Sequence, residues 1–199
     1  MIRGFQYCPR CGAPIERGIP SGDDRERDIC TRDGEIFYHN PLVVVGTVTE
    51  WQGRILMCRR AIEPRAGFWT LPAGFLELGE TASDAGRRET REEACAKIEM
   101  GPLFSFINVP DIGQIHMFYR ATLADGQHMP GPESVETALL QENDIPWSQL
   151  AFPTIAVTLK RYLGDRRNGE YGTHHLALAR GDWQRMGLAR APDKPAVGI

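Results

Sequence analysis

A chain of 199 residues, 42% hydrophobic and 25% charged, has room for one full domain and a small appendage. No apolar run approaches the ~20 residues that span a bilayer, and the opening MIRGFQYCPRCG has no apolar core of the secretory kind, so the expected location is cytoplasmic, with no membrane partner. The net charge of -3 is concentrated: the segment from Gly74 to Ala96 carries six acids and three arginines, and the remainder is balanced. An acid-rich island on a neutral background suits a cation site better than a nucleic-acid groove, and no nucleic-acid partner is expected.

In chain order, residues 1–40 read as a small module, polar and poor in aliphatics, that cannot bury a core and needs a staple. Five cysteines, Cys8, Cys11, Cys30, Cys58 and Cys95, are an odd number and argue against a disulfide framework. Metal ligation for the first three and burial for Cys58 and Cys95 is the simpler expectation. Cys8-x2-Cys11 followed by Cys30 is the first part of a zinc ribbon, but Asp33, in CTRDG, stands where a fourth cysteine would close the tetrahedron. Asp33 as an oxygen ligand, His39 in its place, and loss of zinc are the three alternatives.

From Pro41 the texture changes. PLVVVGTVTEW and RILMCRR read as two strands with Gln52-Gly53 as the turn between them. A loop through AIEPRAGFW leads into TLPAGF, and a helix is predicted from Thr81 to about Cys95, with Thr81 and Asp84 resembling a capping box. KIEMGPLFSFINV and QIHMFYRATLA read as strands, with one of Phe118 and Tyr119 buried by alternation. Residues 137–146 suggest another strand and PTIAVTLKRYL a closing helix. Strands and helices mixed without strict alternation indicate an α+β or three-layer domain over 41–165. The Gly-, Arg- and Pro-rich segment 166–199 is left as a C-terminal extension without assigned structure. Within it, His174 and His175 would point to opposite faces of a strand, which favours surface or packing roles over a metal site.

The chemistry gathers on the predicted helix. Glu89, Glu92 and Glu93 lie at i, i+3 and i+4, so three carboxylates project from little more than one turn. Like charges at that spacing cost ~0.2–0.5 kcal/mol per exposed pair, and hard divalent ions such as Mg²⁺ take such oxygen ligands. Arg88 can reach a carboxylate such as Glu80 and hold the preceding loop.

The run GFLELGETASDAGRRETREEACA resembles the Nudix box, Gly-x5-Glu-x7-Arg-Glu-U-x-Glu-Glu-x-Gly-U with U aliphatic. Gly74, Glu80, Arg88, Glu89, Glu92 and Glu93 fit it, while Thr90 replaces an aliphatic and Cys95 a glycine. The N-terminal run CPRCGAPIE through GEIFYHNPLVVVG extends the likeness to zinc-ribbon Nudix hydrolases over roughly 5–165. The resemblance implies a Nudix fold, an α/β/α sandwich with a mixed central sheet, preceded by a zinc-ribbon-like module. It implies that Glu89, Glu92 and Glu93, with the Gly74 carbonyl, bind two or more Mg²⁺ or Mn²⁺ ions and carry catalysis, and that Glu80 and Arg88 are structural partners. The base varies across the family; Glu133 and Glu136, in GPESVE, are candidates on a later loop. Relatives of this kind often form homodimers.

Between the first strands and the box, Arg59, Arg60 and Arg65 could pair with phosphates. Phe68 and Trp69 could stack a base, with core packing the alternative role for Trp69. The ribbon together with RRAIEPR-x-G-x-WTLPAGF resembles hydrolases of ADP-ribose, FAD or related dinucleotides, which implies attack of water on a diphosphate to give AMP. The SQPWPFP signature of the NADH-cleaving branch does not occur, which argues against NADH. The rival readings are a non-catalytic Nudix-fold nucleotide sensor, which would tend to lose box carboxylates, and a (d)NTP pyrophosphatase, which would release inorganic pyrophosphate.

Overall fold

The computed structural model describes residues 4–179 and Asp182. These fall into two compact units divided between Pro41 and Leu42. In the first, β1 (Ile15–Gly18), β2 (Arg27–Cys30) and β3 (Ile36–Phe37) form a three-stranded antiparallel sheet. Its core is small: Cys8, Ala13 and Cys30 are buried, with Cys11, Ile15 and Phe37 packed against them.

The second unit is built on a mixed sheet with helices on both faces, so the expected α+β architecture is present. β4 (Leu42–Trp51) and β5 (Arg54–Arg60) are joined by Gln52 and Gly53, at φ 49° and 77°. Two left-handed residues match the natural twist of a two-residue hairpin. The short strands β6 (Trp69–Thr70) and β7 (Ala73–Phe75) pair with β5 and β4, and α1 (Ala82–Ala94) comes next. β8 (Ile98–Val109) and β9 (Gln114–Leu123) form an antiparallel pair, and β9 lies parallel to β4. β10 (Ser134–Leu140) begins three residues before the predicted strand, and two 3-10 turns, Glu142–Asp144 and Trp147–Gln149, lie between it and the closing helix. α2 (Pro153–Asn168) runs five residues past the predicted helix and stops at Gly169, φ 75°. β11 (His174–Ala177) then pairs in parallel with β8, giving the order β10-β5-β4-β9-β8-β11. Part of the 166–199 extension thus completes α2 and adds an edge strand; residues 180, 181 and 183–199 lie outside the described residues.

Alternation along the strands decides the two faces. Val48, Phe104 and Phe118 turn toward Ile155, Leu159 and Tyr162 of α2, whereas Leu56, Cys58 and Ala121 turn toward Ala94 and Ala96 at the end of α1. Phe118 is fully buried and Tyr119 only partly so. Of the two cysteines expected to be buried, Cys58 is, but Cys95 is exposed, because it is the left-handed cap (φ 48°) where α1 leaves the core. His174 bonds Asp165 at 2.8 Å and His175 stacks on Phe106. No described helix is long and apolar enough to cross a membrane.

Candidate active site

The carboxylate helix starts at Thr81, whose hydroxyl oxygen accepts from the Asp84 amide at 3.2 Å and donates to the Asp84 carboxylate at 2.6 Å. That cap satisfies one of the orphan N–H groups of the first turn. The helix sits against β4 with its acidic face toward β7 and the loop after it. Glu89 and Glu93 are 9% and 5% exposed, while Glu92 is open to solvent.

Arg88 gathers the surrounding groups. Its Nε and Nη2 fork onto Glu80 at 3.1 and 2.7 Å, and Nη2 also donates to the Phe75 carbonyl at 2.9 Å. Its Nη1 donates to Glu89 at 2.5 Å and to Glu92 at 3.1 Å. One guanidinium therefore ties the loop before the helix to two of its carboxylates. The fork holds the Glu80 carboxyl down at about 2, helped by the Glu77 amide, and Arg88 itself is held more firmly protonated by the same contact. Gly74 lies against Glu89: a β-carbon on Gly74 would collide with that carboxylate, so glycine is required where backbone and acid approach.

Burial pushes Glu89 up and Glu93 up to about 8. The Ala73 amide, 3.2 Å from Glu93, and the positive charge of Arg60 oppose this for Glu93; Glu89 and Glu133 reinforce it. Buried acids repelling one another are the donor set a hard divalent cation neutralises. Glu89, Glu92, Glu93 and the Gly74 carbonyl are the candidate ligands for such an ion, with Glu89 and Glu92 here paired to Arg88.

The two later acids separate. Glu133 acts on both Glu89 and Glu93, whereas Glu136 lies across from Arg59 in the β5–β10 register and pairs with it at 3.5 Å. Gly131 is what brings the Glu133 loop in. Its amide bonds the Glu93 carbonyl at 3.0 Å, the Met129 amide bonds the Ala94 carbonyl at 2.9 Å, and a β-carbon on Gly131 would strike the Glu92 carbonyl. The carbonyls orphaned at the end of α1 are thereby satisfied by the loop. Sequence reading missed Gly131; its only local signal is a Pro-Gly-Pro turn, which does not say what the turn touches.

It missed a second feature as well. Thr90, where an aliphatic residue was expected, is fully buried. Its hydroxyl donates to the Gly86 carbonyl at 2.7 Å and meets Thr47 Oγ1 at 2.7 Å, which in turn meets Thr49 Oγ1 at 2.9 Å. The departure from the motif is matched by threonines on β4.

Among the candidate substrate contacts, Arg60 bonds the Pro64 carbonyl at 2.8 Å and lies over Phe152, and Arg65 lies over Phe68. Trp69 is buried in the core beside Leu71 and Leu150, so it packs beneath the site and does not present a stacking face. Arg59 bonds the Gly67 carbonyl at 2.9 Å.

In the N-terminal unit the sulfurs of Cys8, Cys11 and Cys30 lie within 4.8 Å of one another. The Gly12 amide bonds the Cys8 carbonyl and the Gly34 amide the Cys30 carbonyl, both at 2.9 Å, with Gly12 and Gly34 at φ 70° and 72°. The two turns are alike, so Asp33 occupies in the second the place that Cys11 has in the first. Its carboxylate accepts from the Glu35 amide at 3.0 Å and faces the Cys30 thiol, outside the three-sulfur cluster. His39 is engaged elsewhere, 2.7 Å from the buried Asp28.

Comparison with known proteins agrees with this geometry. The NUDIX domain family matches residues 39–160 and the Nudix N-terminal family residues 6–39. A NUDIX hydrolase from Nitrosomonas europaea of known structure is 42% identical and superposes with a TM-score of 0.85 over 88% of this chain and 99% of that one. An ADP-ribose pyrophosphatase of Methanocaldococcus jannaschii is 29% identical over 120 residues, 58% of this chain and 70% of its own. Human mitochondrial NAD(P)H pyrophosphatase NUDT13 is 26% identical over 157 residues, 78% of this chain. The NAD-capped RNA hydrolase NudC of Salmonella heidelberg is 28% identical over 144 residues, 71% of this chain. The matches span only 41% and 46% of these last two relatives. With the family match covering most of the chain and the box carboxylates in place, this protein belongs to the Nudix hydrolases and carries the Nudix N-terminal ribbon ahead of the catalytic domain.

Proposed function

We propose that this hydrolase cleaves the diphosphate of a nucleoside diphosphate joined to a second group, with ADP-ribose or FAD as the preferred class and AMP as one product. The observation that carries the reading is the buried pair Glu89 and Glu93 beside Gly74, with Arg88 bound to Glu80 and Glu89 and the positive charge of Arg60 acting on Glu93. Glu89, Glu92, Glu93 and the Gly74 carbonyl would hold Mg²⁺ or Mn²⁺. Such ions, when bound, neutralise the acids, polarise the diphosphate and make water more acidic.

The chain's own groups do the rest. Arg60 at the end of β5, and Arg65 from the loop that follows it, orient the phosphates as guanidinium forks do. Water adds its oxygen to one phosphorus, the bridging P–O bond breaks, and the leaving phosphate keeps that electron pair. ADP-ribose then gives AMP and ribose 5-phosphate; FAD gives AMP and FMN. The proton lost from water passes to a carboxylate facing the cluster, for which Glu133 is better placed than Glu136. Replacing Glu133 by Gln should lower kcat by about 10²–10⁴-fold, the range for a positioned acid–base group. The same change at Glu136 should leave kcat within a few-fold, and equal losses in both variants would overturn the assignment.

A second reading, an NAD-type dinucleotide, free or at an RNA end, is favoured by the likeness to NUDT13 and NudC over more than two thirds of this chain. Product chromatography with ADP-ribose, FAD, NADH, NAD-capped RNA and dNTPs separates the readings by kcat/KM. Preference for ADP-ribose or FAD supports the proposal. Preference for NADH or capped RNA moves the substrate to the second reading, and pyrophosphate release from dNTPs rejects both.

A further inference from the structure

On the α2 face of the sheet, away from the box carboxylates, lies a cavity of about 280 Å³ that the hydrolytic reaction does not use. Its floor is set by strand register. Glu50 on β4, Thr122 on β9 and Glu99 on β8 are mutual partners across three neighbouring strands, so their side chains share one face in a single row. Arg120 stands two residues before Thr122 on the same face. Tyr162 from α2 and Tyr171 from the segment before β11 also line it, beside the β8 segment Met100–Pro102.

The charges in this cavity are unequally satisfied. Glu50 accepts from the Tyr162 hydroxyl at 2.7 Å and from Arg166 at 3.4 Å, so it is already compensated. Arg120 is held flat, its guanidinium carbon 3.4 Å from the centroid of the Tyr171 ring, and its buried Nε has no hydrogen-bond acceptor. Neither Arg120 nor Glu99 takes part in an ion pair among the described residues. An arginine stacked on a ring with its fork free is pre-organised for a planar, two-oxygen acceptor. Desolvating an arginine N–H with no partner is costly unless something supplies one.

From this we propose that the cavity is a second small-molecule site, which takes a zwitterion of the α-amino-acid kind. Its carboxylate meets the Arg120 fork, its ammonium meets Glu99 and the Thr122 hydroxyl, and its side chain lies against the tyrosines. One unpaired cation and one unpaired anion match one ligand carboxylate and one ligand ammonium, and the assembly stays neutral. A phosphate dianion would meet one arginine and leave Glu99 facing it as an uncompensated like charge, which disfavours it. Because Tyr171 belongs to the segment leading into β11, occupancy would also steady the edge strand.

The test is thermal-shift screening of the full-length protein against free L-amino acids, with guanosine and inorganic phosphate as contrasting probes, followed by calorimetry on any hit. The expected result is saturable binding of one or a few amino acids, weakened about 10–100-fold by Arg120→Gln, as for loss of a charge-assisted pair. Glu99→Gln, at an exposed position that folding tolerates, should weaken it too, and Glu93→Gln should not. No binding by any amino acid, binding of guanosine or phosphate alone, or affinity unchanged in both Arg120→Gln and Glu99→Gln would overturn the assignment.

Discussion

Glu93 shows how a single acid couples chemistry to folding. Its carboxyl sits at about 8 in the folded protein against an ordinary 4.5. As pH rises from about 4.5 to about 8, the unfolded chain releases a proton that the folded chain keeps, so the metal-free protein loses stability across that window. Below it both states are protonated and the penalty vanishes. Thermal melts with and without manganese should show this loss, its reversal by the metal at the alkaline end, and its disappearance in Glu93→Gln. The same variant should fold and yet turn over about 10²–10⁴-fold more slowly, and near wild-type turnover would refute the site. Cys95 is a smaller case: a non-glycine residue at φ 48° occupies a helix C-cap that glycine favours. Cys95→Gly should stabilise the protein by about 0.5–1 kcal/mol in urea unfolding, with activity unchanged.

At the scale of elements, α1 is held from three directions. Arg88 secures the loop before it, Gly131 and Met129 cap its last carbonyls, and Thr47 on β4 meets Thr90 beneath it. The last contact is the middle link of a buried chain that runs from Thr49 through Thr47 and Thr90 to the Gly86 carbonyl, so the Thr47 and Thr90 hydroxyls orient each other. Thr47→Val or Thr90→Val removes buried hydrogen bonds while Thr90 keeps the Gly86 carbonyl or Thr47 keeps Thr49, and each should cost about 0.5–1.5 kcal/mol. The double variant should cost less than the sum, by a coupling of about 0.5–3 kcal/mol. Strict additivity in that cycle would show that the hydroxyls are independent.

Across the molecule, the two units differ in how they can be stable. The C-terminal unit has large apolar clusters on both faces of its sheet. The ribbon unit has three buried core residues, two of them cysteines, too little apolar surface to fold unaided. Protein purified without chelators should therefore contain one zinc per chain. Stripping it should unfold the ribbon, read by proteolysis within residues 4–41, while the catalytic unit stays protected. Asp33→Ala should speed zinc loss and Asp33→Cys should slow it; an intact ribbon without zinc would reject the staple.

Much of this was legible along the chain because it depends on local spacing. The carboxylates at i, i+3 and i+4, the cap at Thr81, the Gln52-Gly53 turn and the knuckle at Cys8 and Cys11 are contained in short windows, where backbone geometry leaves few alternatives. The strand over Ser134–Leu140 starts ahead of the expected 137 because its turn signals are dispersed, and β11 lies in the unassigned extension because four residues after a helix carry no periodicity. Other features depend on residues far apart in sequence. Thr90 against Thr47, Gly131 against the end of α1, Glu133 facing the acids while Glu136 faces Arg59, and Arg120 against Tyr171 arise only when strands take their register and loops close. Which residues could bind a cation is written in the chain, since that is a matter of residue type and helical period. Tertiary structure alone decided which of them are buried, paired or left unpaired, since burial and pairing depend on what the rest of the chain brings alongside.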